Sequence, residues 1–210
     1  MPSQLKRNNC SRRHNQIKNQ RNTNELTKTF IEEILKFNKA HNIVGRFTES
    51  DIKLLDVLDC ESILPYTKFA KNILDIGSGA GLPGIIIAIH QPQTEVTMSE
   101  KNKKKAYFIK KTIRTLQLSN AKIIDEAITP TLITGNKFDI VTARALASAL
   151  KIIKMSRHLL SQEGKFLFMK GAIEKINEEV AQLENNTYSY TVHETKNTET
   201  NRHILEITQK

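Results

Sequence analysis

Four glycines lie close together in the run Gly77-Ser78-Gly79-Ala80-Gly81-Leu82-Pro83-Gly84. The run follows a short apolar segment and leads into a second one, which predicts a turn between a strand and a helix. Because glycine has no Cβ, such a chain can turn tightly and bring its backbone against a ligand. A glycine-rich turn at this point of an α/β protein is typical of nucleotide-like ligands.

The residues around this loop indicate which ligand to expect. The dinucleotide pattern Gly-x-Gly-x-x-Gly would require a glycine at position 82, where this chain has Leu82. Asp75 precedes the first glycine, and its carboxylate would repel a pyrophosphate but suit the ammonium group of S-adenosylmethionine. Glu100 follows the next predicted strand, where an acid accepts hydrogen bonds from ribose hydroxyls. We therefore predict S-adenosylmethionine binding, with Gly77 and Gly79 against the cofactor.

Predicted strands and helices alternate from residue 71 onward. The predicted strands are 72–76, 95–99, 122–125, 138–142 and 165–169. Helical periodicity occurs at 82–90, 102–118, 146–160 and 172–183. The segments 188–194 and 203–208 alternate in polarity like an antiparallel pair. This order predicts a Rossmann-like α/β fold, with a mostly parallel doubly wound sheet and an antiparallel C-terminal strand.

The chain is expected to have three sections. They are a basic, flexible tail over 1–24, a small helical section over 25–67 and the Rossmann-like domain over 68–210. In the helical section, Asn24 is expected to cap a first helix, and Thr48 to open a second with a capping box. Pro65 is expected to end this section.

The chain is strongly basic, since 32 Lys and Arg against 22 Asp and Glu give a formal net charge of +10. The excess forms two clusters, one in the 1–24 tail and one directly after Glu100. The second cluster consists of Lys101, Lys103, Lys104, Lys105, Lys110, Lys111 and Arg114. Either cluster alone is explained by a solvated surface. Two clusters beside a cofactor motif favour a nucleic acid, because binding releases the counterions of its phosphates.

The sequence disfavours several other classes of protein and site. Cys10 and Cys60 form no CxxC motif, so no disulfide framework is expected. No apolar run approaches the length of a membrane span, and the first residues lack the apolar core of a secretory signal. The six histidines show no metal-ligand spacing. We therefore expect a cytoplasmic monomer that binds neither a metal nor a membrane.

The segment after the fourth predicted strand bears on the methyl acceptor. It is Thr142-Ala143-Arg144-Ala145-Leu146, and not the Asn/Asp-Pro-Pro-aromatic loop that accompanies methylation of exocyclic amines. Methylation of cytosine C5 needs a cysteine nucleophile, and neither cysteine lies in the α/β section. A ring nitrogen such as guanine N7 has a free lone pair and needs no catalytic base, because proximity and orientation suffice. Arg144, Lys170 and Arg202 lie at strand ends and are expected to position the base or a phosphate.

Together these features resemble the bacterial small-subunit rRNA methyltransferases that modify a guanine N7, also called glucose-inhibited division protein B. The resemblance covers roughly residues 25–208. It is carried by residues 77–85, Phe37-Asn38-Lys39-Ala40 with Asn42, Lys104-Lys105, Phe138-Asp139, Arg144-Ala145, Lys170-Gly171 and Arg202-His203. It implies methylation of 16S rRNA in the small ribosomal subunit. It also implies cofactor contacts from Gly77, Leu82, Glu100, the Ile128-Thr129 pair and Arg144.

The chain departs from this family pattern at two places. The family commonly has Arg-His ahead of an Asp-Ser pair in the second helix, where this chain has Leu55-Asp56 ahead of Asp59-Cys60. After the third strand the family commonly has a basic residue before an apolar-acid pair, where this chain has Ala127-Ile128-Thr129. The loss of positive charge would weaken the binding of substrate or cofactor.

Three alternatives stay open from the sequence. One is a methyltransferase that acts on another RNA or on a protein. Another is a non-catalytic RNA-binding or ribosome-assembly protein that retains the fold. The third is a nicotinamide oxidoreductase, which Leu82 in place of the last glycine disfavours.

Overall fold

The computed structural model describes residues 22–135, 137–183, 186–195 and 202–210. The strands in these ranges are β1 Asn72–Ile76, β2 Glu95–Ser99, β3 Ala121–Ile124, β4 Phe138–Arg144, β5 Leu160–Lys170, β6 Tyr188–Glu194 and β7 His203–Gln209. The helices are α1 over 22–38, α2 Glu49–Ile52, α3 Leu58–Glu61, α4 Leu64–Thr67, α5 Gly84–His90, α6 Lys103–Thr115, α7 Ala149–Ser156 and α8 Ile173–Val180. One π-helical turn, Lys53–Val57, joins α2 to α3, and a 3-10 turn, Arg157–Leu159, follows α7. No helix in the described ranges is both long and apolar enough to cross a membrane.

The described strands form one sheet in the order β3-β2-β1-β4-β5-β7-β6. Strands β1 to β5 run parallel, whereas β7 is antiparallel to β5, and β6 is antiparallel to β7. This arrangement confirms the predicted Rossmann-like α/β fold with its antiparallel C-terminal strands. The chain order reverses at β1, which lies between β2 and β4, and ligands of such sheets bind at the carboxyl ends of the strands there.

Two apolar layers cover the faces of the sheet, because successive side chains of a strand point to opposite sides. On β1, Ile73 packs in a cluster with the N-terminal helices, α5 and α6. The next residue, Leu74, packs in a second cluster with α7 and α8. Both side chains are fully buried. The helical N-terminal section therefore shares its core with α5 and α6.

The ends of several elements differ from the sequence-based expectations. Helix α1 already includes residue 22, so Asn24 lies inside the helix and does not cap it. Thr48 caps α2 as expected, because its hydroxyl accepts a hydrogen bond from the Asp51 N–H at 3.1 Å. Pro65 lies in the first turn of α4, where its missing N–H is not needed, and so it does not end the helical section. The basic residues 1–21, with Cys10, lie outside the described residues.

Candidate active site

The glycine loop, residues 77–84, joins β1 to α5 on left-handed backbone. Gly77, Gly79 and Gly81 have φ angles of 67°, 61° and 86°, which side chains with a Cβ rarely adopt. A Cβ on Gly77 would also lie 2.6 Å from Leu146 Cδ1. The amides of Gly77 and Ser78 donate to the Ser99 carbonyl at 2.8 and 3.0 Å. The loop is therefore tied to the end of β2 and depends on glycine for its shape.

Asp75 holds this loop from below. Its side chain is fully buried, and Oδ2 accepts a hydrogen bond from the Gly84 N–H at 3.0 Å. Oδ1 has no hydrogen-bond partner among the described residues. Burial raises the pKa of Asp75 to about 6, although the hydrogen bond from the Gly84 N–H opposes that rise.

Glu100 ties the glycine loop to the start of α6. One carboxylate oxygen, Oε2, accepts from the Gly79 N–H at 2.9 Å, and Oε1 accepts from the Asn102 N–H at 2.8 Å. Each oxygen of an ionised carboxylate has a further lone pair, so both can accept another hydrogen bond. Glu100 is 8% exposed and lies at the carboxyl end of β2. It is therefore placed to accept hydrogen bonds from hydroxyl groups of a ligand while it fixes the loop.

A cavity of about 790 Å³ lies at the carboxyl ends of β1, β2 and β4. It has the size of a typical small-molecule site. Among the residues expected from the sequence, it is lined by Gly77, Gly79, Leu82, Glu100, Ile128, Arg144 and Arg202. Three other expected residues, Asp75, Thr129 and Lys170, are not part of its lining. The structure thus gathers most of the predicted site around a single space.

The three residues outside the lining have other contacts. Asp75 accepts a hydrogen bond from the last residue of the glycine loop and does not line the cavity. The expected direct contact between its side chain and the cofactor is therefore not supported by its position. Thr129 is exposed, and its hydroxyl is 3.2 Å from that of Thr131. Lys170 Nζ donates to both carboxylate oxygens of Glu179, at 3.0 and 2.8 Å, and to the Ala147 carbonyl at 2.9 Å. Lys170 therefore secures α8, and its expected role in positioning the substrate lacks support.

Four charged side chains, Asp56, Asp59, Arg144 and Arg202, form a cluster at one side of the cavity. Arg144 Nη2 donates to Asp56 Oδ1 at 2.8 Å, and Nη1 donates to Asp59 Oδ2 at 3.3 Å. Arg202 Nε lies 3.7 Å from Asp59 Oδ1. Asp56 lies in the π-helical turn and Asp59 in α3, so this four-charge cluster connects the N-terminal section to the ends of β4 and β7.

Both acids of the four-charge cluster are buried. Asp56 is 6% exposed and Asp59 is 2% exposed. Burial raises the pKa of Asp59, although the guanidinium groups of Arg202 and Arg144 oppose the rise. Arg144 was expected just past the end of a strand; it is the last residue of β4, and α7 begins only at Ala149. Its orientation is set by two carboxylates whose importance the sequence did not reveal.

Asn38 fixes a segment that lines part of the cavity. Its side-chain amide donates to the carbonyls of Val44 and Arg46 at 2.9 and 2.8 Å. Its Oδ1 accepts from the Ile43 N–H at 2.8 Å. The segment 43–46 lines the cavity, and sequence reasoning did not predict it as part of the site. The signal was present, because Asn38 belongs to the motif on which the family resemblance rests.

Basic side chains surround the same cavity. Those that line it, besides Arg144 and Arg202, are Arg46, Lys101, Lys105 and Lys151. Two members of the predicted basic cluster instead pair with acids that the sequence did not associate with them. Lys111 contacts Glu33 of α1, and Lys103 lies 3.4 Å from Asp125. The cluster is therefore partly neutralised on its outer side, and its charge toward the cavity comes from Lys101 and Lys105.

The site offers little for covalent or metal chemistry. Cys60 is fully buried and free, and burial raises the pKa of its thiol, so it stays protonated near neutral pH. Cys60 does not line the cavity. Within the described part of the chain, no three His, Cys, Asp or Glu side chains form a group that could hold a metal ion.

Relatives of known description match most of this chain. A ribosomal RNA small subunit methyltransferase G of Psychrobacter sp. (strain PRwf-1) is 37% identical over 147 residues, which is 69% of this chain. The same-named protein of Nitrosomonas eutropha is 38% identical over 146 residues, 68% of this chain. The matched segments cover 64% and 67% of the lengths of these two relatives.

A solved structure and a family model complete the comparison. The precorrin-6y C5,15-methyltransferase of Geobacter metallireducens superposes with a TM-score of 0.56 and 20% identity, covering 72% of this chain and 87% of that one. This likeness shows the fold, which is that of Rossmann-like methyltransferases. The model of the rRNA small subunit methyltransferase G family matches residues 23–205. The chain therefore belongs to the rRNA small subunit methyltransferase G family.

Proposed function

We propose that this protein transfers the methyl group of S-adenosylmethionine to N7 of a guanine in the 16S rRNA of the small ribosomal subunit. One observation carries the proposal: a single cavity joins the glycine loop and Glu100 to Arg144 and to a basic rim. A cofactor site and an anionic substrate site would then share one space. The family membership of the chain supports the same activity.

The residues present fit S-adenosylmethionine. Leu82 and Ile128 offer apolar walls for an adenine ring, and Glu100 keeps lone pairs for the ribose hydroxyls. A Cβ on the left-handed Gly77 would collide with Leu146, so only glycine lets the backbone keep this path beside the cavity, where it can meet the methionine end of the cofactor. Asp75 lies beneath the loop with one unpaired carboxylate oxygen, and its negative charge favours a nearby ammonium group. When bound, the cofactor supplies an electrophilic methyl group.

Methylation at N7 requires no general acid or base from the protein. The N7 lone pair forms the new bond to the methyl carbon, and the electrons of the broken carbon–sulfur bond remain on sulfur. No proton moves, so the protein has to bind both partners, align them and exclude water. This agrees with a cavity whose cysteine neighbour, Cys60, is buried and protonated.

The basic rim is proposed to hold the rRNA backbone. Lys101, just before α6, Lys105, in the first turn of α6, and Lys151, in α7, all line the cavity. Positive side chains in such an arrangement neutralise phosphates on either side of an inserted nucleotide. The guanine would enter the cavity from a single-stranded or unstacked position, because its N7 must reach the cofactor in line. We propose that the protein acts on it as a cytoplasmic monomer.

The test is transfer of tritiated methyl groups from S-adenosylmethionine to small subunits that lack the modification. We expect one methyl group per subunit, recovered as 7-methylguanosine, and no transfer to subunits already methylated. Incorporation into another RNA or into protein would instead support the alternative substrates. Cofactor binding without any transfer would support a non-catalytic role in ribosome assembly.

A further inference from the structure

Among the charged side chains of the cavity, Asp56 is unusual because one of its two carboxylate oxygens has no donor. Oδ1 accepts the hydrogen bond from Arg144 Nη2 at 2.8 Å. Oδ2 is buried and has no hydrogen-bond partner within the described ranges. Asp56 is only 6% exposed in the folded chain, yet it belongs to the lining of the cavity. A buried carboxylate oxygen without a donor is costly, so a ligand donor is the expected partner.

Asp56 and Arg144 together present an acceptor beside a donor. Arginine has five N–H donors, and the hydrogen bonds to Asp56 and Asp59 use only some of them. Guanine offers the complementary pair on one edge, since its O6 accepts a hydrogen bond and the adjacent N1–H donates one. Adenine has the opposite arrangement, because its N6 amino group donates and its N1 accepts. The Asp56–Arg144 pair therefore matches guanine and opposes adenine.

We propose that Asp56 and Arg144 recognise the guanine that is methylated, with Asp56 accepting from N1–H and Arg144 donating to O6. This inference rests on the proposed function, and it assigns to Asp56 a role in base specificity. It also explains why a second carboxylate, besides that of Glu100, is tolerated in a cavity with a basic rim. The carboxylate faces the base, while the basic rim faces the phosphates.

The same contact should favour the reaction itself. As N7 gains a methyl group, the guanine ring becomes positively charged and its N1–H becomes a stronger donor. The hydrogen bond to Asp56 is therefore stronger in the transition state than with the unreacted base. Asp56 does not have to remove the proton, so no catalytic base is introduced.

Asp59 acts differently and provides the matched comparison. It accepts from the other nitrogen, Nη1 of Arg144, at 3.3 Å, and it also contacts Arg202. It is 2% exposed and is not part of the cavity lining. Asp59 is therefore a positioning residue for Arg144, with no contact to the base.

The first experiment varies the base and keeps the protein unchanged. Small subunits are reconstituted with guanosine, inosine or 2-aminopurine ribonucleoside at the methylated position. Inosine retains O6 and N1–H, whereas 2-aminopurine lacks both and retains N7. Single-turnover methylation of inosine should stay within about tenfold of guanosine, and that of 2-aminopurine should fall by roughly a further tenfold or more.

The second experiment compares Asp56→Asn with Asp59→Asn on the guanosine and 2-aminopurine subunits. Asp56→Asn should lower the rate with guanosine by about tenfold to a hundredfold and leave the slow rate with 2-aminopurine unchanged. The preference for guanosine is then largely lost. Asp59→Asn keeps an amide oxygen that can accept the hydrogen bond from Arg144 Nη1, so its rate with guanosine should fall less than that of Asp56→Asn and its preference for guanosine should stay near wild type. Affinity for S-adenosylmethionine, measured by calorimetry, should be retained in both variants and verifies that they are folded.

The outcomes separate this inference from the proposed function. If the wild-type protein methylates no small subunit at N7, the proposed function fails and the inference fails with it. If the wild-type protein is active but methylates 2-aminopurine as fast as guanosine, only the recognition by Asp56 and Arg144 is overturned. If Asp56→Asn prefers guanosine over 2-aminopurine as strongly as wild type does, the recognition by Asp56 is likewise overturned.

Discussion

The glycine loop is made by one stretch of chain, whereas the four-charge cluster gathers residues from three distant segments. The loop takes its shape from backbone torsions and from amides that donate to Ser99 and Glu100. The cluster joins residues far apart in sequence, because Arg144 contacts both Asp56 and Asp59. The two regions border the same cavity. Local chain geometry thus builds the side proposed for the cofactor, and tertiary packing builds the side proposed for the base.

This difference predicts separable effects of substitutions. Changes in the loop should lower cofactor affinity, and changes in the cluster should lower the rate of methyl transfer with the cofactor bound. The largest effect is expected at Arg144 in the cluster, and the smallest at Asp75 beneath the loop.

Arg144→Ala should have the largest effect. It removes the donor proposed for guanine O6 and leaves the buried Asp56 with no partner for its Oδ1. Misplacement of the base by about 1 Å costs on the order of a hundredfold in rate, and we expect a loss of that size. The measurement is single-turnover methyl transfer with saturating cofactor. Lys170→Ala is the control, because it also breaks a partly buried ion pair, but outside the cavity. Equal losses in the two variants would show that Arg144 acts only through stability.

Glu100→Ala should weaken S-adenosylmethionine binding and leave the hydrogen bonds of the four-charge cluster unchanged. The substitution removes the acceptor of the Gly79 and Asn102 amides and the acceptor proposed for the ribose. The expected cost is about 1–3 kcal/mol of binding free energy, measured by calorimetry. Glu163→Ala is the control, because Glu163 is exposed and lies outside the lining of the cavity. A Glu100 variant with the affinity of the control would contradict the assignment.

Gly77→Ala tests whether the loop needs space as well as backbone freedom. Its new Cβ would lie 2.6 Å from Leu146 Cδ1, at a φ of +67°. Gly135→Ala is the matched control, because Gly135 has a φ of +72° and nothing within 4 Å of the added Cβ. Both variants should lose about 1–2 kcal/mol of unfolding free energy from backbone strain. Only Gly77→Ala should also lose cofactor affinity, by roughly tenfold. If the two variants have the same unfolding free energy and the same cofactor affinity, the loop is not part of the cofactor site.

Charge reversal at Lys101 and Lys105 should affect RNA and spare the cofactor. Both side chains line the cavity, so each is proposed to neutralise a phosphate. The slope of log affinity against log salt should become shallower by roughly 0.7–0.9 for each phosphate that is no longer neutralised. The control reverses Lys122 and Lys175, which lie outside the cavity lining and are exposed. If the slope of the Lys101 and Lys105 variant is the same as that of wild type, these lysines do not contact RNA phosphates and belong to the solvated surface.

Substitution of Asp75 should have the smallest effect on methyl transfer, and its contribution should appear instead as a pH dependence of stability. Its pKa in the folded protein is about 6, above the ordinary value of 3.8, so the folded state binds the proton more tightly. The unfolding free energy should therefore fall as pH rises from about 4 to about 6, by at most about 1.4 kcal/mol per pH unit. In Asp75→Asn this contribution should be missing, as measured by urea denaturation across that range. Superimposable pH profiles for the two proteins would show that Asp75 does not titrate there.

The same contrast explains what the sequence could and could not predict. Gly77, Glu100 and the strand order follow from local patterns, because torsional freedom and apolar periodicity are properties of short segments. The pairing of Arg144 with Asp56 could not be inferred, since a single sequence does not show which distant charges meet. Lys170 shows the opposite limit. Its position at a strand end suggested that it belongs to the site, but its Nζ donates to Glu179 and it does not line the cavity. Asn24 failed as a cap because the helix extends past it toward the N-terminus.

The position of β7 has a consequence for the order of events during synthesis. This strand is inserted between β5 and β6, with Ile204, Leu205 and Ile207 fully buried, and Arg202 directly precedes it. A nascent chain that has not yet released residues 202–209 lacks both the strand that pairs with β5 and the cavity residue Arg202. The proposed site is therefore completed only after these residues have left the exit tunnel. A protein with the proposed activity would in this way be unable to modify a ribosome before its own β7 has emerged from the exit tunnel.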